Sequence, residues 1–373
     1  MIRFVILFSA FITFAYSEDC DVRNFPDGTV CVCSANYCDT VPSLDVSIGK
    51  YQVYSTSKSK LGFSSKTGLF STQDPAQNVD NVKVDRSIKH QTIIGFGGAF
   101  TDSTGINIQS LPTEAQDKLM ESYFGKSGIE YNLGRVPIGG TDFSTRAYSY
   151  DDFPLDTTLM KFALQPEDLN YKIPLIRKAN ILTNNKLNLF ASAWTAPPWM
   201  KTNNDWHGIG FLQTKYYQLW ADYMIKFLKC FLAYLGVERA VELGSWARGA
   251  KYIEDIFDNL QYGAGGWVDW NMALDETGGP NFIDNMVDSP IIVNATQQEF
   301  YKQPMFYAIG HFSNLSESDS DVQALAFLRP DNLTALVIYS SQSSDITIQI
   351  EDSNNQKAEI YIEANSINTV IYE

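Results

Sequence analysis

The chain has 373 residues, 45% of them hydrophobic and 19% charged, enough apolar material for a sizeable core and, at roughly 150 residues per domain, for two or three domains. A net charge of -15 excludes a nucleic-acid partner, because no clustered Lys and Arg are on hand to displace counterions from phosphates. Residues 1–17 read as a secretory signal peptide: Arg3 gives the charged start, Phe4 to Phe14 the apolar run, and Ala15-Tyr16-Ser17 a small-x-small cleavage site. The other apolar stretch, Leu219 to Leu235, carries Asp222, Lys226 and Lys229 and reads as an amphipathic soluble helix, so no transmembrane anchor is expected. Cys20, Cys31, Cys33 and Cys38 crowd just after the signal, where an oxidising compartment makes them two disulfides in one of three pairings; zinc is the competing reading. Cys230, in an apolar helix, reads as a buried free thiol. Sequons at Asn294, Asn314 and Asn332 fit the same compartment.

Tyr51 to Thr56 and Gly68 to Ser71 read as short strands, and Val322 to Leu328, Leu333 to Tyr339, Asp345 to Glu351, Ala358 to Glu363 and Ser366 to Tyr372 as their partners from the far end, which together suggest an antiparallel β-sandwich. Between them the period changes. Thr92 to Gly95 is a strand breaking at Gly95, Gly97 and Gly98, followed by a helix over Pro112 to Phe124; Tyr131 to Val136 is a second strand, followed by a helix near Ile173 to Leu182. Leu187 to Ser192 is a third strand, apolar enough to be buried on both faces, and Pro197-Pro198 forbids its continuation. In a parallel barrel the loop that follows lies on the active face, where Trp194 and Trp199 can serve as flat walls for a sugar ring or simply as core plugs. Two successive helices, Lys215 to Leu235 and Arg248 to Leu260, precede a last strand, Gly266 to Asn271. Strands alternating with helices mean parallel βα units, but there are four strands where a closed barrel needs eight.

Several phrases in this order carry a resemblance: VCVCSANYCD (Val30 to Asp39), GFGGAFTD (Gly95 to Asp102), YNLGRVPIGGTDFSTRAYSYDD (Tyr131 to Asp152), ASAWTAPPWMKTN (Ala191 to Asn203), LGSWARG (Leu243 to Gly249), GGPNFIDNMVDSPIIV (Gly278 to Val293) and FYKQPMFYAIGHFS (Phe300 to Ser313). Over nearly the whole mature length the sequence resembles the glucosylceramidases, acid β-glucosidases of glycoside hydrolase family thirty. The resemblance implies an α/β fold, a (β/α)8 TIM barrel truncated to four parallel strands, plus an antiparallel β-sandwich built from both chain ends. It implies a signal peptide at 1–17, a disulfide-bearing segment at 18–44, the sandwich at 45–87 and 314–373, and the incomplete barrel at 88–313. It implies hydrolysis of glucosylceramide to glucose and ceramide with retention, in the lysosome or outside the cell, without cofactor or metal, with a saposin-type activator and a membrane surface as partners. It implies the pairs Cys20 with Cys31 and Cys33 with Cys38. Asp142 and Trp194 resemble the family's sugar-binding residues, Trp270 and Asn285 residues near the mouth of the site, and Arg135 an arginine that supports it or makes a structural ion pair.

One departure matters more than the matches. A retaining glycosidase needs two carboxylic acids about 5 Å apart. The family's Asn-Glu-Pro motif after strand four and Ser-Glu motif after strand seven are both absent, and the text runs from Tyr223 to Gly236 straight into Val237 to Gly249. Strands four to seven read as deleted, and a smaller gap falls between Ser313 and Val322. Glu238 and Glu242 flank the junction at i, i+4 spacing and are expected on a solvated helical face rather than in catalysis. The expectation is an inactive family member whose four strands lie in the order last, first, second, third, with open edges that invite self-association. The alternatives are a non-enzymatic paralogue that binds glycolipid or an activator protein, and an incomplete form of a longer, active enzyme.

Overall fold

Four short strands run side by side in one direction, in the order Asn188–Ala193, Leu133–Ile138, Gly95–Ala99, Gly266–Asn271. This is the expected arrangement of a barrel's third, second, first and last strands. The computed structural model describes residues 19–71, 80–228, 241–313, 323–352 and 357–373; the signal segment, Cys230, Glu238 and Asn314 lie outside them. Among the described residues neither outer strand has a second neighbour in the sheet.

Two of the expected strands need correction. The first is Gly95–Ala99, so the glycines are the body of the strand and not its end. A Cβ on Gly97 would stand 2.0 Å from the Leu133 carbonyl oxygen, its register partner on the neighbouring strand, so only glycine allows that approach. The third, Asn188–Ala193, is not buried on both faces: Leu189 and Phe190 are each 37% exposed. A parallel strand that apolar is ordinarily covered on both sides, and here no described residue completes that cover over Leu189 and Phe190.

Helices back the sheet. Pro112 caps Thr113–Phe124, and Trp246–Gln261 buries Ile253, Ile256, Phe257 and Leu260, a stripe at helical spacing. Helix Asp102–Gln109 was not expected; its signal is local, the Thr101 hydroxyl accepting from the Thr104 N–H as an N-cap.

Both chain ends meet in the sandwich. One antiparallel sheet runs Gln323–Leu328, Thr334–Ser340, Ser366–Tyr372, Lys50–Ser57, Ser64–Leu69, so the strand expected at Gly68 to Ser71 lies earlier. The other runs Lys357–Ile362, Ile346–Asp352, Asp80–Val84, and its last pair is parallel. Leu336, Ile338, Ile348, Ile350 and Val370 fill the space between the two.

A third sheet was not expected at all. The hairpin Val22–Phe25 and Gly28–Ser34 continues through Glu299–Lys302 and Ile291–Asn294 to Ala273–Asp275. Disulfides Cys20–Cys31 and Cys33–Cys38, with Cα separations of 5.1 and 4.4 Å, staple its outer edge. The zinc alternative falls, since all four sulfurs are in disulfides.

Candidate functional site

The C-terminal end of the four-stranded sheet gathers five of the residues singled out in the sequence. Arg135 lies within the second strand, paired with Ala99 and Phe190; Asp142 follows that strand, Trp194 follows the third, Trp270 is the last residue but one of the fourth, and Asn285 sits on a later loop. Trp194 and Trp270 stack nearly parallel, ring centroids 4.9 Å apart. The fully buried Arg135 guanidinium lies 4.3 Å from the Trp270 centroid and 5.5 Å from that of Trp194, within the range of cation–π attraction. Asn285 Nδ2 donates to Asp142 Oδ2 at 2.8 Å. Beside them is a cleft of about 200 Å³ whose lining includes Asp142, Tyr148, Trp194, Trp206, His207 and Phe282. That is below the roughly 300–1,000 Å³ of most ligand sites and suits one small ring more than a whole lipid. A cavity of about 810 Å³ opens at the opposite end of the sheet, between Gly95 and the sandwich turn at Arg329, away from these groups.

The polar atoms at this end are unusual for a protein interior. Asp142 Oδ1, Ser192 Oγ, Trp206 Nε1 and Asn271 Nδ2 are buried and make no hydrogen bond with any described residue. Buried polar atoms are nearly always paired, and each left alone costs on the order of 1–3 kcal/mol, so such a group of donors and acceptors fits a polyhydroxylated ligand. Burial pushes the Asp142 carboxyl above its ordinary range, against the Asn285 hydrogen bond and the field of Arg135. Asp269, in the last strand, is pushed up to about 7 by removal of its carboxyl from water, against hydrogen bonds from the Trp270 N–H and the Tyr252 hydroxyl.

Comparison with known proteins decides the family. Residues 93–235 and 232–316 match the glycosyl hydrolase family 30 TIM-barrel domain, and residues 308–370 the family's β-sandwich domain. The chain belongs to glycosyl hydrolase family 30. A Caenorhabditis elegans protein named "Putative glucosylceramidase 4" is 31% identical, with 99% of this chain and 98% of that protein covered. The lysosomal acid glucosylceramidase of Mus musculus is 29% identical, with 98% of each covered. SrfJ from Salmonella typhimurium has the same fold, with a TM-score of 0.79 at 21% identity over 87% of this chain and 99% of that one. The alignment with the nematode protein runs over 513 positions against 373 residues here, so that family 30 relative carries a long stretch with no counterpart in this chain.

Glu242 and Asn294 do not stand where the sequence put them, and Trp199 takes the second of its two readings. Trp199 is a core plug: it is 7% exposed, and its Nε1 donates to the Asp151 carbonyl at 2.9 Å. Glu242 is not on a helical face but precedes helix Trp246–Gln261 and pairs with Arg248 at 2.9 Å. Asn294 is 7% exposed, its Nδ2 donating to the Tyr301 hydroxyl at 3.2 Å, so this fold has no room for a glycan there; Asn332, on an exposed turn, is accessible. Conversely, sequence reading overlooked Ser192, Trp206, Asn271 and Asp269. The signal for Ser192 and Asn271 was available, since each lies at the C-terminal end of a parallel strand, where this architecture builds its sites.

Proposed function

We propose that this family 30 protein binds a β-glucoside in the cleft at the end of the sheet and does not hydrolyse it. The observation that carries the reading is the lining itself: an unpartnered acceptor, Asp142 Oδ1, and an unpartnered donor, Trp206 Nε1, belong to it, yet among its lining residues Asp142 is the one carboxylate. Retaining chemistry needs a second carboxylic acid about 5 Å away and inverting chemistry one at roughly 6.5–9.5 Å, to supply nucleophile or base opposite the acid. Asp142 Oδ1 accepts from a sugar hydroxyl while Asn285 holds Oδ2, and Trp194 covers the C–H face of the ring. Arg135 sits beneath the indoles and favours the ionised form of Asp142. The long unmatched stretch in the nematode relative, and the two family matches that meet at residues 232–235, support loss of the segment that would hold the catalytic pair.

The names of the relatives favour glucosylceramide as the ligand, which brings a membrane surface and an activator of saposin type into the same proposal. The paired cysteines and a lysosomal relative support a secretory route through the signal at 1–17 to the lysosome or the exterior. The division into 18–44, a sandwich from 45–87 and 314–373, and a sugar-binding half-barrel at 88–313 belongs to this reading. The test is calorimetric titration with methyl β-glucoside alongside a fluorogenic β-glucoside assay at acidic pH. Saturable binding with no turnover above buffer is expected; turnover above buffer contradicts the reading, as does an absence of binding.

A further inference from the structure

A buried charge cluster beside the cleft takes no part in the binding just described. Lys172 Nζ lies 3.1 Å from Asp102 Oδ1, 3.0 Å from Asp168 Oδ1 and 2.8 Å from the Tyr148 hydroxyl, and all four residues are at most 1% exposed. Asp102 Oδ2 accepts from Tyr148 at 2.9 Å and from Ser144 at 2.5 Å. Asp168 accepts from the Tyr150 hydroxyl at 2.8 Å and from the Gln165 N–H at 2.9 Å. Asp168 and Lys172 belong to a single π-helical turn, Asp168–Lys172, a rare conformation that recurs at functional sites. Burial works against the Lys172 charge, but Asp102 and Asp168 outweigh it and hold that ammonium protonated well beyond the ordinary range.

Such a cluster is poorly explained by stability. Apolar side chains of equal volume stabilise a core at least as well as buried ions, which gain their attraction only after a large desolvation cost. What the cluster does fix is a location. Ser144 and Tyr148, its two hydroxyl donors to Asp102, both stand in the loop that carries Asp142, on its C-terminal side. Ser144 Oγ also accepts from the Thr141 N–H at 3.0 Å, and the Gly140 N–H donates to the Tyr148 carbonyl at 2.9 Å, so the chain on the N-terminal side of Asp142 is tied to both anchors. Tyr148 in addition lines the cleft.

We propose that Asp102, Lys172 and Asp168 form the positioning centre that sets where Asp142 presents its open carboxylate oxygen, an assignment that rests on the sugar-binding reading above. None of the three touches the ligand; they act through Ser144 and Tyr148. The chain threads this centre from three places, the end of the first strand, the loop after the second and the helix before the third, so the sugar carboxylate is referenced to the sheet rather than to its own loop.

The experiment is a Ser144→Ala/Tyr148→Phe double variant of the full chain, which leaves all three charges in place and cuts their link to the loop together with the Thr141 N–H bond to Ser144 Oγ, a bond that Tyr148→Phe alone keeps. Hydrogen exchange over residues 139–152 should quicken about tenfold while sandwich peptides keep the wild-type rate, a local change that general destabilisation does not give. Affinity for methyl β-glucoside should fall about tenfold, and returning Ser144 alone should recover part of both. If the double variant does not fold, Tyr148→Phe alone carries the same readouts. Unchanged loop exchange, or wild-type affinity in the variant, overturns the assignment. A wild-type protein that binds no glucoside strikes the sugar-binding reading instead, and loop exchange then decides whether the cluster positions the loop.

Discussion

Trp194 and Trp270 lie face to face, so the site offers one indole slab and not two opposed walls. In the proposed binding mode a sugar takes its orientation from the slab on one side and from Asp142 on the other. Trp194→Ala should weaken glucoside binding by about tenfold, and Asp142→Asn, which keeps the shape and removes the charge-assisted acceptor, by tenfold or more, with melting temperatures close to wild type. Titration calorimetry checks both. Asp269 makes a different prediction. Its carboxyl titrates near 7 when folded, above the roughly 3.9 of an unfolded aspartate, so the folded state holds the extra proton. The stability this gives is full below about pH 4 and is lost as pH rises through about 7. Melting temperature should accordingly fall between pH 4.5 and 7.5, and Asp269→Asn should flatten that slope; equal slopes in variant and wild type would remove Asp269 as the cause. Asp142 and Trp194 were legible because each stands in a phrase of distinctive residues. Asp269 was not, because its burial comes from Tyr252 on a helix that no local pattern ties to it.

For the four parallel strands existence was legible from apolar runs, whereas strand bounds were not, and the first strand shows why. Glycines read as breakers when only the local chain is in view, but the fit of Gly97 against Leu133 is set by a neighbour 36 positions along. Gly97→Ala should destabilise the protein by about 3 kcal/mol in urea unfolding, since the obstructing atom is backbone and cannot rotate away. The third strand makes the opposite case. Its sequence suits a covered strand and its place is an edge, so Leu189 and Phe190 present apolar surface next to unpaired backbone groups. If this open edge drives the expected self-association, Phe190→Lys should reduce it, measured by light scattering across a dilution series, because a charge on an edge strand discourages strand addition. Association unaffected by that change would point away from this edge.

At the scale of the molecule, the barrel half and the sandwich were both readable, since their strands follow one another in the chain or meet as its two ends. The third sheet was hidden because its hairpin at residues 22–34 pairs with a strand at 299–302, and neither four-residue strand of its far side is long enough to show a period. The two disulfides secure that sheet at the chain's start and should each contribute a few kcal/mol at most, their loops being short. What the proposed function rests on, among these three parts, is a cleft lined by Trp194 and by one carboxylate, Asp142. The most direct measurement is a single NMR time course of the purified protein with methyl β-glucoside at acidic pH, following saturation transfer to the sugar and the anomeric signals of free glucose together. Transfer that Asp142→Asn abolishes, with no glucose released beyond a protein-free control, is the predicted result. Glucose accumulating faster than that control would contradict it and require a second catalytic carboxylate.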